Sequence, residues 1–167
     1  MKKDREFHTV RGYQMLNVED KLLTSSMEDY LEMIYRVCQK DGYIRVNELA
    51  EKLNVRPSSS TNMVKKLREL ELVDYQKYGI IQLTKEGKEI GGFLLKRHQI
   101  IEKFLKNLGI RKTLLKDTEM IEHDVSLTTL ESMYVMNQFL EDNPDVLDKY
   151  IAFKEDFDKE IDLPNQL

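Results

Sequence analysis

Cysteine occurs once in the 167 residues, at Cys38. A single cysteine closes no internal disulfide, which excludes a disulfide-stapled secreted scaffold and favours a reducing cytoplasm. Proline occurs three times and glycine seven times; a chain so sparsely punctuated is expected to be mostly helical. No apolar run approaches the ~20 residues that span a bilayer. The opening MKKDREFHTV carries charge with no apolar segment behind it, so it does not read as a secretory signal. With 41% hydrophobic and 34% charged residues, the composition is that of a folded globular chain rather than a disordered one.

The net charge of −4 would argue against a polyanionic partner if it were evenly spread, and it is not. Residues 45–100 hold 11 Lys/Arg against 7 Asp/Glu, residues 1–44 hold 7 against 8, and residues 101–167 hold 8 against 15. Phosphates are met by a local surface, so the basic middle is the segment that suits nucleic acid.

Apolar spacing places helices around that middle. In SSMEDYLEMIYRVCQK, Met27, Tyr30, Leu31, Ile34 and Cys38 recur at helical intervals. Ser25 or Ser26 is the expected N-cap, and Asp41-Gly42 the stop. VNELAEKL (46–53) is a short helix, Asn54 to Pro57 a turn, and a second helix follows from Pro57 to Leu70 with Met63, Val64, Leu67 and Leu70 inward. Pro57 suits a first helical position, where its missing N–H has no partner to lose. This is the helix-turn-helix pattern. Leu72–Tyr75 and Ile80–Leu83 then flank a glycine-containing turn, giving a β-hairpin directly after the second helix. The order reads as a winged helix-turn-helix. A long helix runs from Thr84 to Gly109, where Gly91-Gly92 marks a kink or a close contact with another backbone. Helices over 117–127 and 128–142 and a last acidic helix complete the chain. The fold class is mainly α with a small β-hairpin wing, divided into an N-terminal extension (1–24), a DNA-binding domain (25–90) and a helical metal-binding and dimerisation domain (91–160).

The head of the second helix would face base edges in a major groove. Those residues are Arg56, Pro57, Ser58, Ser59, Ser60, Thr61 and Asn62. Small hydroxyls permit close approach, and Ser, Thr and Asn can hydrogen-bond bases. Lys65, Lys66 and Arg68 suit phosphates, with Lys77 at the wing tip. Each also fits an ordinary role as a cap or a surface charge. It is the grouping on this fold that favours double-stranded DNA.

Ligand-type side chains gather in two places. Asp29 and Glu32 share one helical face, and Glu119, Glu122 and His123 stand at i, i+3 and i+4 on another. His98 lies mid-way along the long helix. Taken singly, each set suits a solvated face or a satisfied histidine better than a metal site, since Glu-x-x-Glu-His is far less specific than a four-cysteine pattern.

The segments SSMEDYLEMIY, LNVRPSSSTNMVKKL, YQKYGIIQLTKEGKEIG, KRHQIIEKFL and EMIEHDVS closely resemble, in order, the diphtheria-toxin-repressor family of metalloregulators, nearest its manganese branch. The resemblance covers about Ser25 to Asn143. It implies a metal site made by Asp29, Glu32, His98, Glu119, Glu122 and His123, with Mn²⁺ as cofactor, two ions per subunit, and Fe²⁺ as the competing ion. The iron branch usually has methionine at the position of Asp29 and cysteine at that of Glu119. The chain also ends about where that branch's SH3-like domain would start. Asp124 departs from the manganese pattern, which can carry a second histidine there. Residues 1–24, His8 included, fall outside the resemblance. Independently, four carboxylates and two imidazoles with no thiolate suit Mn²⁺ or Fe²⁺ better than a soft zinc site.

The expected function is therefore a metal-activated repressor, a homodimer on operator DNA that controls metal-uptake genes and is not an enzyme. Phe93, Leu94, Leu127, Leu130, Met133, Met136 and Phe139 are candidates for its dimer interface or, equally, for its core. One rival is an iron(II)-responsive repressor. Another is a carboxylate-rich metallohydrolase, which lacks a His-Glu-x-x-His motif and a separate general base. A third is a winged-helix regulator that senses a small molecule or an oxidant; its oxidant form would need an exposed thiol, whereas Cys38 sits on an apolar stripe.

Overall fold

The computed structural model describes residues 23–160. They form seven helices and three short strands: α1 (Ser25–Asp41), β1 (Ile44–Arg45), α2 (Val46–Lys52), α3 (Pro57–Glu69), β2 (Val73–Tyr75), β3 (Ile80–Leu83), α4 (Lys85–Asn107), α5 (Leu114–Glu122), α6 (Leu127–Asp142) and α7 (Pro144–Glu160). They divide into two compact units that meet between Arg97 and His98, inside the continuous helix α4.

In the first unit, α1 starts one residue earlier than its serines suggest. Thr24 is the cap, extended at φ −73° and ψ 155°, and its hydroxyl accepts from Met27 N at 3.3 Å. Ser25 and Ser26 are already helical, which corrects the expected cap. Gly42 closes the helix at φ 77°, its N–H bonding Cys38 O, a left-handed position that glycine takes without the Cβ penalty. Leu31, Ile34, Leu49, Val64 and Leu67 are fully buried, so the inward faces of α1, α2 and α3 form one core.

The wing is a three-stranded antiparallel sheet ordered β1-β3-β2. Ile44 pairs with Ile81 and Val73 with Leu83. Strand β1 is absent from the sequence reading, because two residues are too few to show an alternating pattern. The tip turns through Tyr78 at φ 65° and Gly79 at φ 74°.

Three glycines admit α4 to this unit. A Cβ on Gly87 would lie 1.9 Å from Leu72 O. On Gly91 and Gly92 it would crowd the Tyr35 side chain, 2.8 Å from its Cβ and 3.0 Å from its hydroxyl. The close contact expected at Gly91-Gly92 is thus with a side chain, and α4 continues unbroken through it; the backbone contact falls at Gly87.

In the second unit, the last turns of α4 bury Ile100, Ile101 and Leu105, and α6 adds Leu130. Buried Asn137 ties α6 to α4, donating to Ile100 O at 2.9 Å and accepting from Asn107 Nδ2 at 3.0 Å. Gly109, at φ 81°, ends the α4 segment. The helix expected over 117–127 is shifted. It runs Leu114–Glu122, and Ser126 is instead the cap of α6, its hydroxyl accepting from Thr129 N at 3.2 Å. A serine oxygen engaged by the next helix's N–H groups cannot lie inside the preceding helix. Phe93, Leu94 and Leu130 are core residues, at 4%, 0% and 1% exposure, and so leave the interface candidates. Met136 and Phe139 stay exposed.

Candidate metal centre and nucleic-acid face

Helix α3 begins as its sequence suggests, with Arg56 extended at φ −70° and ψ 141° and Pro57 in the first turn. The turn before it is set by Asn54 at φ 53°, a left-handed conformation that asparagine tolerates better than most residues. Arg56, Pro57, Ser58, Ser59, Asn62, Lys65, Lys66 and Arg68 are all exposed, as is Lys77 at the wing. Thr61 is half-buried, and its hydroxyl donates to Pro57 O at 2.9 Å within its own helix.

Ser60 is the exception. It is fully buried, and its hydroxyl donates to Val46 O at 3.4 Å. It also hydrogen-bonds the Tyr30 side chain, which opposes the rise that burial imposes on that hydroxyl's pKa. On a helix the side chain two positions after Ser58 turns about 200° around the axis. A helix presenting Ser58 and Ser59 outward therefore puts Ser60 against α1 and α2, out of reach of a base.

Two exposed residues escaped the sequence reading. Arg45 Nη1 donates to Tyr78 O at 3.4 Å, placing a guanidinium beside Lys77, while Tyr78 is 88% exposed. Their association depends on the pairing of β1 with β3, which no local pattern announces.

Of the ligand-type residues, Asp29 and Glu32 belong to the first unit. Asp29 is exposed and Glu32 buried on the same face of α1. Glu32 Oε1 accepts from Arg36 Nε at 2.9 Å and Nη2 at 2.5 Å. A half-exposed guanidinium thus balances a buried carboxylate.

The other four belong to the second unit. His98 Nδ1 lies 2.8 Å from Glu122 Oε2, and both side chains are nearly buried. His123 Nε2 lies 4.0 Å from Glu122 Oε1. Glu119, one turn before His123 on α5, is exposed. The structure thus brings His98, Glu122 and His123 together, while Glu119 is exposed on α5. An imidazole and a carboxylate held against one another are both ligand types for a divalent ion. The donor set is oxygen and nitrogen only, which fits a hard or borderline cation.

Cys38 is half-buried, with Sγ 4.0 Å from Ile81 O. Burial pushes its thiol above the usual range, and Lys88 partly offsets this. A thiol held protonated is a poor redox sensor. Among the described residues, no helix is long and apolar enough to cross a membrane.

Comparison with known proteins returns two adjoining family matches. Residues 22–81 match the iron dependent repressor N-terminal DNA binding domain, and residues 84–150 match the metal binding and dimerisation domain of the same family. The chain is 39% identical over 132 residues to the HTH-type transcriptional regulator MntR of Lysinibacillus sphaericus, covering 78% of this chain and 95% of that one. It is 41% identical over 123 residues to MntR of Bacillus subtilis, with 73% and 87% covered. Among solved structures, it is similar to the manganese regulator SloR, with a TM-score of 0.60 and 33% identity over 71% of this chain and 55% of that one. It is also similar to ScaR with bound Zn²⁺, with a TM-score of 0.55 and 32% identity over 69% and 53%. The chain spans about half the length of these two structures.

Proposed function

The chain belongs to the iron-dependent repressor family, and from that premise we propose that it is a homodimeric repressor whose binding to operator DNA is switched on by Mn²⁺, controlling metal-uptake genes. The observation that carries the reading is the buried His98–Glu122 pair, which lies within the stretch matched to the metal-binding domain. Its relatives' names support manganese: MntR for the curated proteins and "manganese regulator" for SloR.

The ligands are Asp29 and Glu32 from α1, His98 from α4, and Glu119, Glu122 and His123 from α5 and its cap. They would hold two ions per subunit. The metal supplies positive charge among four carboxylates that otherwise repel one another. The residues then act as a tie. Helix α1, which packs against the DNA-reading helices, carries two ligands, and the second unit carries four. Ligation would fix α1, and with it the separation of two α3 helices across a dimer, at a spacing set by whole turns of DNA. A ~10-fold preference of the metal for the competent state, or about 1.4 kcal/mol per site, compounds over two subunits. Exposed Arg56, Pro57, Ser58, Ser59, Asn62 and half-buried Thr61 read bases, while Lys65, Lys66 and Lys77 meet phosphates.

The test is binding of labelled promoter DNA from the protein's own locus at fixed salt, with no metal, Mn²⁺, Zn²⁺ or anaerobic Fe²⁺. Wild type should bind with Mn²⁺ and not without metal, and Glu119→Ala should lose the response. Activation by Fe²⁺ alone would replace manganese with iron; tight metal-independent binding by both proteins would defeat the switch.

A further inference from the structure

Arg97 and Glu28 form an ion pair that is costly to bury. Arg97 Nη2 donates to Glu28 Oε2 at 2.6 Å, and the two side chains are 6% and 12% exposed. The Nε of the same guanidinium has no hydrogen-bond partner among the described residues, and the guanidinium carbon stands 6.0 Å from the centre of the Phe93 ring. Taking two ions out of water is costly, and the pair recovers the cost only when its remaining hydrogen-bonding groups are satisfied. One donor here is not. Stability is therefore a weak reason for the pair to exist.

Its position offers a better one. Glu28 is the residue before Asp29 and one turn before Glu32 on α1. Arg97 is the residue before His98 on the uninterrupted helix α4. Each partner adjoins a ligand of the proposed site. Further along the same helix pair, Gly91 and Gly92 meet Tyr35. Glycine lets α1 and α4 approach closely, but a surface without side chains does little to stop one helix sliding or rotating on the other. A slip of one residue moves a side chain 1.5 Å along the axis and about 100° around it, enough to swing a carboxylate away from a cation.

We propose that Glu28 and Arg97 are a positioning pair, which locks the register of α1 on α4 so that Asp29 and Glu32 are held in their metal-binding orientation before the metal arrives. The inference rests on the metal-repressor reading above. It makes the pair a contributor to metal affinity through preorganisation, with no contact to the ion.

The test uses the full chain and the double variant Glu28→Leu/Arg97→Met, which replaces the charges with apolar groups of similar volume. Mn²⁺ affinity is read by calorimetric titration, and the metal-free melting temperature is read separately. The expected result is a Kd weakened ~10-fold to ~100-fold, the range found for groups that orient ligands, with the metal-free melting temperature unchanged or raised. An affinity within about twofold of wild type would overturn the proposal, as would a loss of affinity matched by an equal loss of metal-free stability. Should the double variant fail to fold, Arg97→Lys keeps the charge but loses the planar fork. It should still bind Mn²⁺ measurably more weakly, and wild-type affinity in it would also overturn the proposal. Absence of Mn²⁺ binding in the wild type defeats the repressor reading itself, a result distinct from any of these.

Discussion

Among the described residues, all but four of the buried apolar side chains lie in the first unit, and the four are Ile100, Ile101, Leu105 and Leu130. Exposed large apolar residues show the opposite distribution. The first unit shows only Tyr43, Val55 and Tyr78, whereas the second shows nine, among them Val135, Met136, Phe139, Phe153 and Phe157. The first unit closes a core around itself. The second leaves most of the exposed large apolar side chains, and it is the stretch matched to a dimerisation domain. The two halves of the proposed ligand set follow the same division. Glu32 sits on a helix of the first unit's core, while His98 and Glu122 are buried in the second.

The largest expected effect strikes the first unit. Leu31 is fully buried, so Leu31→Ala removes packed methyl groups and leaves a cavity, at a cost of about 2–5 kcal/mol. Phe153→Ala, at a side chain 69% exposed, should cost the isolated subunit under about 0.5 kcal/mol. Denaturant unfolding at low protein concentration compares them. Similar losses would mean that the second unit is as self-sufficient as the first.

Next comes the surface itself. Phe139→Glu places a charge on the exposed face of α6 and should weaken dimerisation ~100-fold, about 2.7 kcal/mol, as burial of an unpaired charge in an apolar interface demands. Sedimentation equilibrium reads it. An undisturbed dimer would place the interface elsewhere on the second unit.

Metal should then narrow the difference between the units. A ligand at 100 times its Kd adds about 2.7 kcal/mol to the state that binds it. Mn²⁺ should raise the melting temperature of the wild type and fail to do so in Glu122→Gln, which keeps the shape of the side chain buried beside His98 and removes its charge. An equal shift in both proteins would remove Glu122 from the site.

The sequence reading succeeds where a local pattern carries the information. Apolar spacing marks α1, α3 and α4, Pro57 marks the start of α3, and Gly79 marks the wing turn. It misses what depends on pairing across the chain. Strand β1 exists because Ile44 finds Ile81, and the Glu28–Arg97 contact joins residues 69 positions apart. The limits of α5 were displaced for a subtler reason. Thr113 is a cap-type residue, but its hydroxyl donates to Asp117 Oδ2 at 2.6 Å and makes no cap hydrogen bond to the helix's own N–H groups, so the start rests on backbone geometry that the sequence does not announce. The ligand residues were named by resemblance, not by spacing. The sequence offered a face of carboxylates, and the pairing of His98 with Glu122 came with the fold.

The smallest effect separates two adjacent serines on α3, which the sequence treats alike. Ser59 is exposed and Ser60 is fully buried. Ser60→Ala removes a hydroxyl that bonds Val46 O and the Tyr30 side chain, leaving the Tyr30 oxygen short of a partner. It should lower stability by about 1 kcal/mol while leaving the DNA affinity of the folded protein unchanged. Ser59→Ala should do the reverse, with stability within about 0.5 kcal/mol of wild type and operator affinity lowered by about 1 kcal/mol where the hydroxyl meets a base. Thermal unfolding and Mn²⁺-loaded operator binding, run on both variants, decide the matter. A loss of operator affinity in Ser60→Ala larger than in Ser59→Ala would mean that α3 presents a different face to DNA from the one its burial pattern indicates.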